Sequence, residues 1–106
     1  MNQGERRAAR HYRLRGYRVL GANVRAGGYE LDLVLRRGNR LVFCEVKERS
    51  RTDYGTPAEM VGPEKLRRVR QAAAAWLAAH PELRDLDVAL EVAAVHGGRV
   101  ERLPAA

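Results

Sequence analysis

A chain of 106 residues suggests one domain with a real but modest core. Its single cysteine excludes an internal disulfide framework and fits a reducing, cytoplasmic setting. No apolar run approaches the length of a membrane span, and the charged N-terminus has no signal-peptide core. The formal charge of +7, with arginine dominating lysine, points to nucleic acid or another polyanion, although a GC-rich genome or thermophily produces the same bias.

In chain order, residues 3–15 read as a helix. Ala8, Ala9 and Tyr12 mark one apolar face, and Gly16 is a good stop. Glu5 falls on that same face. An acid there either reaches a site or is favoured simply by its place near the helix N-terminus. Arg6, Arg7, Arg10 and Arg13 lie on other faces, where they are solvated or touch phosphate. Tyr17 to Val24 reads as a short strand with a bulge near Gly21, and Arg25 to Tyr29 as a turn built on Gly27-Gly28.

Glu30 to Lys47, ELDLVLRRGNRLVFCEVK, is the central feature. Gly38-Asn39 suits a two-residue type II′ hairpin turn. That register places Asp32 opposite Glu45 and Glu30 opposite Lys47, with all four on the face that continues as Val34 and Phe43. Leu31, Leu33 and Leu35 occupy the other face against Val46, Cys44 and Val42, so the hairpin is expected to be buried on both sides. Cys44 reads as a small core residue, not a nucleophile. Facing carboxylates repel, and burying them unpaired costs several kcal/mol per ion, on the order of the penalty for uncompensated charge. A divalent cation compensates, since Mg²⁺ takes one or two carboxylates plus water and phosphate oxygens. An ion-pair network, with Glu30 to Lys47 and Asp32 to an arginine, compensates as well, and both readings stay open here.

Glu48 to Thr56 reads as a polar loop. Arg49 and Arg51 are its candidates for phosphate contact, and Tyr54 either packs locally or stacks on a base. Gly62-Pro63-Glu64 reads as a helix start, and the helix runs to about Ala79 with Leu66, Val69, Ala73, Trp76 and Leu77 as its apolar stripe. Lys65, Arg67, Arg68 and Arg70 form its basic side. Leu86 to Val95 reads as a strand, with Asp87 as a strand-edge acid. Gly97-Gly98 turns it into a last strand over Arg99 to Leu103. His11, His80 and His96 lack the spacing of a zinc site. The order of helix, three strands, helix and two strands predicts an α/β fold around a mixed sheet of about five strands, with a helix before and a helix after the central hairpin.

The ordered motifs carry a resemblance. Gly4-Glu5, Asn23-Val24-Arg25, Glu30-Leu31-Asp32-Leu33-Val34, Phe43-Cys44-Glu45-Val46-Lys47-Glu48-Arg49, Tyr54-Gly55-Thr56-Pro57 and Lys65 resemble, in order and over most of the chain, the bacterial YraN family. That family is similar to archaeal Holliday junction resolvases, within the PD-(D/E)xK nuclease superfamily. The chain departs from the family pattern at Tyr29, usually glycine, and at Asp85-Leu86-Asp87, where Arg84 is displaced by one position.

The resemblance implies a restriction-endonuclease-like core and metal-dependent phosphodiester hydrolysis, with branched DNA as the substrate and a homodimer as the working unit. It implies that Asp32 and Glu45 hold Mg²⁺ or Mn²⁺, helped by Glu5 and the carbonyl of Val46. Lys47 would position or activate the water, and Glu30 would fix Lys47. Arg25, Arg49, Arg51, Lys65 and Arg68 are the candidates for contact with nucleic acid. A catalytically silent nucleic-acid-binding module with the same fold is the alternative, and a basic domain docking on an acidic protein is a third reading. Loss of cleavage in Asp32→Ala with retained binding separates the enzyme from the silent module.

Overall fold

The computed structural model of the chain describes residues 1–49 and 61–105. Helix α1 (Gln3–Arg13) precedes strands β1 (Arg18–Ala26), β2 (Tyr29–Arg37) and β3 (Arg40–Glu48). Helix α2 (Pro63–Ala78), a 3₁₀ turn (Pro81–Leu83) and strands β4 (Asp87–His96) and β5 (Arg99–Pro104) follow. The strands form one sheet in the order β1-β2-β3-β4-β5, antiparallel except for the parallel β3–β4 pair. A parallel pair needs a crossover, and α2 lies in it.

Local chemistry sets the element ends. Asn2 caps α1 through its side chain, which accepts the Glu5 amide at 2.8 Å, while the Glu5 carboxylate accepts the Asn2 amide at 2.8 Å. This reciprocal pair satisfies two donors that a helix start leaves open. Pro63 opens α2 directly after Gly62, as its missing N–H allows. Gly38 turns β2 into β3 with φ +58° while Asn39 stays at negative φ, the pattern of a type II′ turn, and Arg37 pairs Arg40. The bulge in β1 lies between Val19 and Gly21, as the glycine suggested.

The helices cover opposite faces of the hairpin. Ala8, Ala9 and Tyr12 of α1 pack on Leu33, Leu35, Val42 and Cys44; Val69, Ala72, Ala73 and Trp76 of α2 pack with Val34, Leu41 and Phe43. Leu31 departs from the expected alternation and joins the α2 cluster with Val24, Ala26 and Tyr29. Its pairing partner Val24 crosses over with it, whereas Ala22 and Leu33, the next pair along, stay with the α1 cluster. Between these rungs lies Asn23, in β1 at φ +52°, and that left-handed residue reverses the alternation locally.

β1 reaches Ala26, so Arg25 is part of a strand and the connection to β2 narrows to Gly27-Gly28. Gly27 has φ +59°, and a Cβ there would lie 3.0 Å from the Ala75 Cβ and 3.2 Å from the Gln71 carbonyl oxygen of α2. Gly27→Ala is therefore expected to destabilise the fold by about 1–3 kcal/mol, through left-handed strain plus a clash with helix backbone. Gly28→Ala carries the same kind of strain with no neighbour within 4 Å and should cost less. Urea unfolding of the two variants side by side checks the difference.

Candidate active site

The sheet forks at the middle of the hairpin. Pairing between β2 and β3 runs from Arg37–Arg40 to Leu33–Cys44 and goes no further. Beyond it, β2 stays with β1 to Tyr29, and β3 stays with β4 to Glu48. Asp32 and Glu45 are the next residues along the two prongs. The Asp32 carboxylate spans the opening and accepts the Val46 amide N–H at 2.8 Å, replacing the lost ladder bond with a side-chain bond.

Three carboxylates converge there. Ligand oxygens of Glu5, Glu30 and Asp32 all lie within 4.8 Å of one another. Glu5 is buried because α1 lays its first turn over the sheet. One of its oxygens holds the helix cap, and the other accepts Asn23 Nδ2 at 2.9 Å. The same Nδ2 donates to Glu30 at 3.1 Å. Asn23 therefore bridges two acids that would otherwise repel, and its left-handed backbone aims it at them. The N-x-R motif contains this residue, but the resemblance assigns it no role. An asparagine inside an otherwise apolar strand, able to take φ > 0, was the available signal.

Glu45 sits beside this group. Its carboxylate is 3.2 Å from Lys65 Nζ of α2, and with Val46, Lys47, Val61 and Lys65 it lines a cleft of about 380 Å³. A second cleft of about 300 Å³, lined by Tyr29, Glu30, Asp32, Lys65, Arg68 and Val69, shares Lys65 with the first. Tyr29 shapes this cleft with its ring, over which the Arg68 guanidinium lies at 5.7 Å.

The expected pairing of Glu30 with Lys47 is not formed. The strands have separated before that level, so Glu30 turns to Asn23 and to the other acids, and Lys47 is left exposed on the β3 prong. Val46 meets Asp32 through its amide. Lys65 lies at the site, paired with Glu45. Arg68 borders it but is also paired with Glu64 at 3.2 Å. Arg25 is exposed, donates to the Gly28 carbonyl at 3.3 Å and lies opposite Glu30 in the β1–β2 pair. Arg49 lines a different cleft, with Ala94, His96 and Arg99, and its amide donates to Val95. Arg51, Tyr54 and the Gly55-Thr56-Pro57 segment lie outside the described residues. Asp87 is at the opposite end of β4, where its amide donates to Asn39, and takes no part in the site.

The electrostatics follow from this crowding. Burial first, then the charge of Glu45 and of Glu5, push the Asp32 carboxyl up to about 7, against the Val46 hydrogen bond that favours the anion. A carboxyl raised in the folded state stabilises the fold while protonated, below its unfolded value. That contribution is lost as pH rises towards 7. Asp32→Asn keeps an acceptor for Val46 and removes the charge. It should raise the metal-free melting temperature by a few degrees at pH 8 and leave it nearly unchanged at pH 4, which thermal unfolding at the two pH values would read.

Residues 4–95 match the model of Uncharacterised protein family UPF0102. The chain belongs to UPF0102. UPF0102 proteins similar to it include one from Frankia casuarinae, 51% identical over 83 residues that cover 78% of this chain and 70% of the relative. Another, from Kineococcus radiotolerans, is 46% identical over 92 residues, covering 87% of this chain and 75% of the relative. A third, from Anaeromyxobacter dehalogenans, is 44% identical and covers 98% of this chain and 80% of the relative. The matched part of some UPF0102 relatives is about two thirds of their length, as in Frankia alni at 65%. The UPF0102 match takes in every acid of the fork, from Glu5 to Glu45, and Lys65.

Proposed function

We propose that this UPF0102 chain is a divalent-metal-dependent nuclease that hydrolyses phosphodiester bonds, with branched DNA as its substrate. The convergence of Glu5, Glu30 and Asp32 in the sheet fork, with Glu45 alongside, is the observation that supports this most. The donor set fits a hard cation: it is all oxygen and anionic, and no His or Cys joins it among the described residues. The raised Asp32 carboxyl points the same way: burial first, then the charges of Glu45 and Glu5, disfavour its anion, and a bound cation would offset both.

Asp32 and Glu45 would hold Mg²⁺ or Mn²⁺, with Glu5 and the Val46 carbonyl completing the set. Glu30 joins as a further oxygen donor in place of its expected role with Lys47. The metal supplies a Lewis acid that activates water and stabilises charge developing on phosphate. Lys47, exposed on the β3 prong, would orient the attacking water and offset that charge. Lys65 would steady the phosphate once Glu45 turns to the cation.

The test is cleavage of a labelled four-way DNA junction, a duplex and a single strand, each with Mg²⁺ and with Mn²⁺. Metal-dependent cutting, strongest on the junction, supports the reading. Cutting of single strands or RNA alone keeps the chemistry and rejects the substrate. Binding without cutting under either metal transfers the assignment to the silent binding module.

A further inference from the structure

The arginines of the two helices differ in what neutralises them. On α2, Arg67 and Arg68 both pair with Glu64, at 2.7 and 3.2 Å. Arg7 and Arg10 of α1, Arg15 just beyond it and Arg99 of β5 form no ion pair among the described residues. Arg7 donates to the Gly97 carbonyl at 2.7 Å and Arg15 to the His11 carbonyl at 3.0 Å, so their hydrogen bonds leave the charges uncancelled.

These side chains line two clefts that meet at the β5 edge of the sheet, the α1 arginines on one side of it and Arg99 on the other. Arg7, Arg10, His11 and Arg15 line an open cleft between α1 and the β4–β5 turn, and Val100 joins that cleft to the one holding Arg99. Glu101 is the one acid in the two linings. His11 senses the surplus charge: burial first, then Arg15 and Arg102, hold its imidazole below the ordinary value, although Glu91 pulls the other way.

We propose that the β5 edge of the sheet, through Arg10 and Arg15 on the α1 side and Arg99 on the other, is a second binding surface that takes the phosphate backbone of a duplex DNA arm flanking the acid site. Helix α1 connects the two places directly. Arg10 lies about 8 Å along the helix axis from Glu5, on the order of two base-pair steps of duplex. The two linings contain no Phe, Tyr or Trp, so the surface offers no ring on which an unpaired base would stack, as single-strand grooves do. Guanidinium groups without carboxylate partners release counterions from phosphate and need no base contact. The choice of DNA as the duplex rests on the proposed nuclease function; the surface itself does not.

The test uses the full chain carrying Asp32→Asn, so that binding is read without cleavage. Duplex DNA affinity is measured as a function of salt for this protein, for the same protein with Arg10→Ala, Arg15→Ala and Arg99→Ala, and for it with Arg67→Ala and Arg68→Ala. The expected result for the first triple is a drop of about tenfold or more in affinity. The slope of log K against log salt should also fall by about 2–3, near 0.9 for each phosphate that is no longer neutralised. The α2 double should change both far less. The His11 proton resonances should also titrate at higher pH when duplex is bound, a readout that a merely structural role for the arginines does not move. An unchanged slope in the triple, a larger drop in the α2 double, or stronger binding to poly-aspartate than to duplex would overturn the proposal. If wild type binds duplex through this edge and cuts nothing, the nuclease reading fails and the surface stands.

Discussion

Asp32→Asn is expected to reduce metal-dependent cleavage by about a thousandfold or more while duplex binding is retained. The substitution is nearly isosteric and leaves an oxygen to accept the Val46 amide, now at 2.8 Å, so the fork keeps its bridge. What it removes is the anion placed between Glu5, Glu30 and Glu45. The same change should stabilise the metal-free protein at pH 8, because that anion is the one burial and its neighbours disfavour. Lost activity with gained stability distinguishes a site residue from a structural one, since a structural acid would lose both. Glu45→Gln should behave similarly in cleavage. Single-turnover assays with Mn²⁺, paired with thermal unfolding, measure both sides. Undiminished cutting by Asp32→Asn would remove Asp32 from the chemistry.

Glu91→Ala is expected to be the most destabilising of these changes and to leave the acid fork in place. Glu91 is buried in β4 beneath α1 and gathers Tyr12 Oη at 2.7 Å, Arg40 Nη2 at 2.7 Å and Arg102 Nε at 2.9 Å. Burial alone would raise its carboxyl; hydrogen bonds from Arg102, Tyr12 and Arg40 outweigh burial and hold it below the ordinary value. Removing it leaves the fully buried Tyr12 hydroxyl only the weak acceptor Cys44 Sγ, at 3.5 Å, and leaves Arg102, stacked 4.5 Å over the Tyr12 ring, without its counter-charge. Breaking such a pair costs about 3–5 kcal/mol. At roughly 4–8 °C per kcal/mol for a domain of this size, the melting temperature should fall by about 12–40 °C. The pH dependence has the opposite sign to that of Asp32. A depressed carboxyl contributes stability above its unfolded value and loses it as pH falls through the folded one. The wild type should therefore soften in acid, and Glu91→Ala should soften less steeply there. Calorimetry from pH 3 to 8 reads both effects, and a loss below about 1 kcal/mol would show that the network is dispensable.

Much of this was legible in residue order. The hairpin register followed from a glycine that needs φ > 0 before an asparagine that does not. The start of α2 followed from a proline with no amide to satisfy. Alternation of apolar residues on both faces of β2 and β3 marked them as central, and Glu30, Asp32 and Glu45 could be singled out because charge in such a setting needs a reason, whereas Lys65 was singled out by the family resemblance. Glu5 was visible as an acid on the apolar face of α1. These are local properties: turn geometry, caps and periodicity depend on neighbours within a few positions.

Three features were not local and were decided by the tertiary structure. Where β2 and β3 part company depends on what each finds on its far side, β1 for one and β4 for the other, so Glu30 faces Asn23 and not Lys47. Gathering Tyr12, Arg40, Glu91 and Arg102 joins four segments of the chain, and nothing near Glu91 in the sequence points to its partners. Which arginines stay uncancelled depends on where the acids fall in space, as Glu64 does for Arg67 and Arg68. Residue order set the elements and the residues that bear chemistry, because covalent geometry and side-chain period act at short range. Packing decided which of those residues meet, because burial and charge act between segments that only the folded chain brings together.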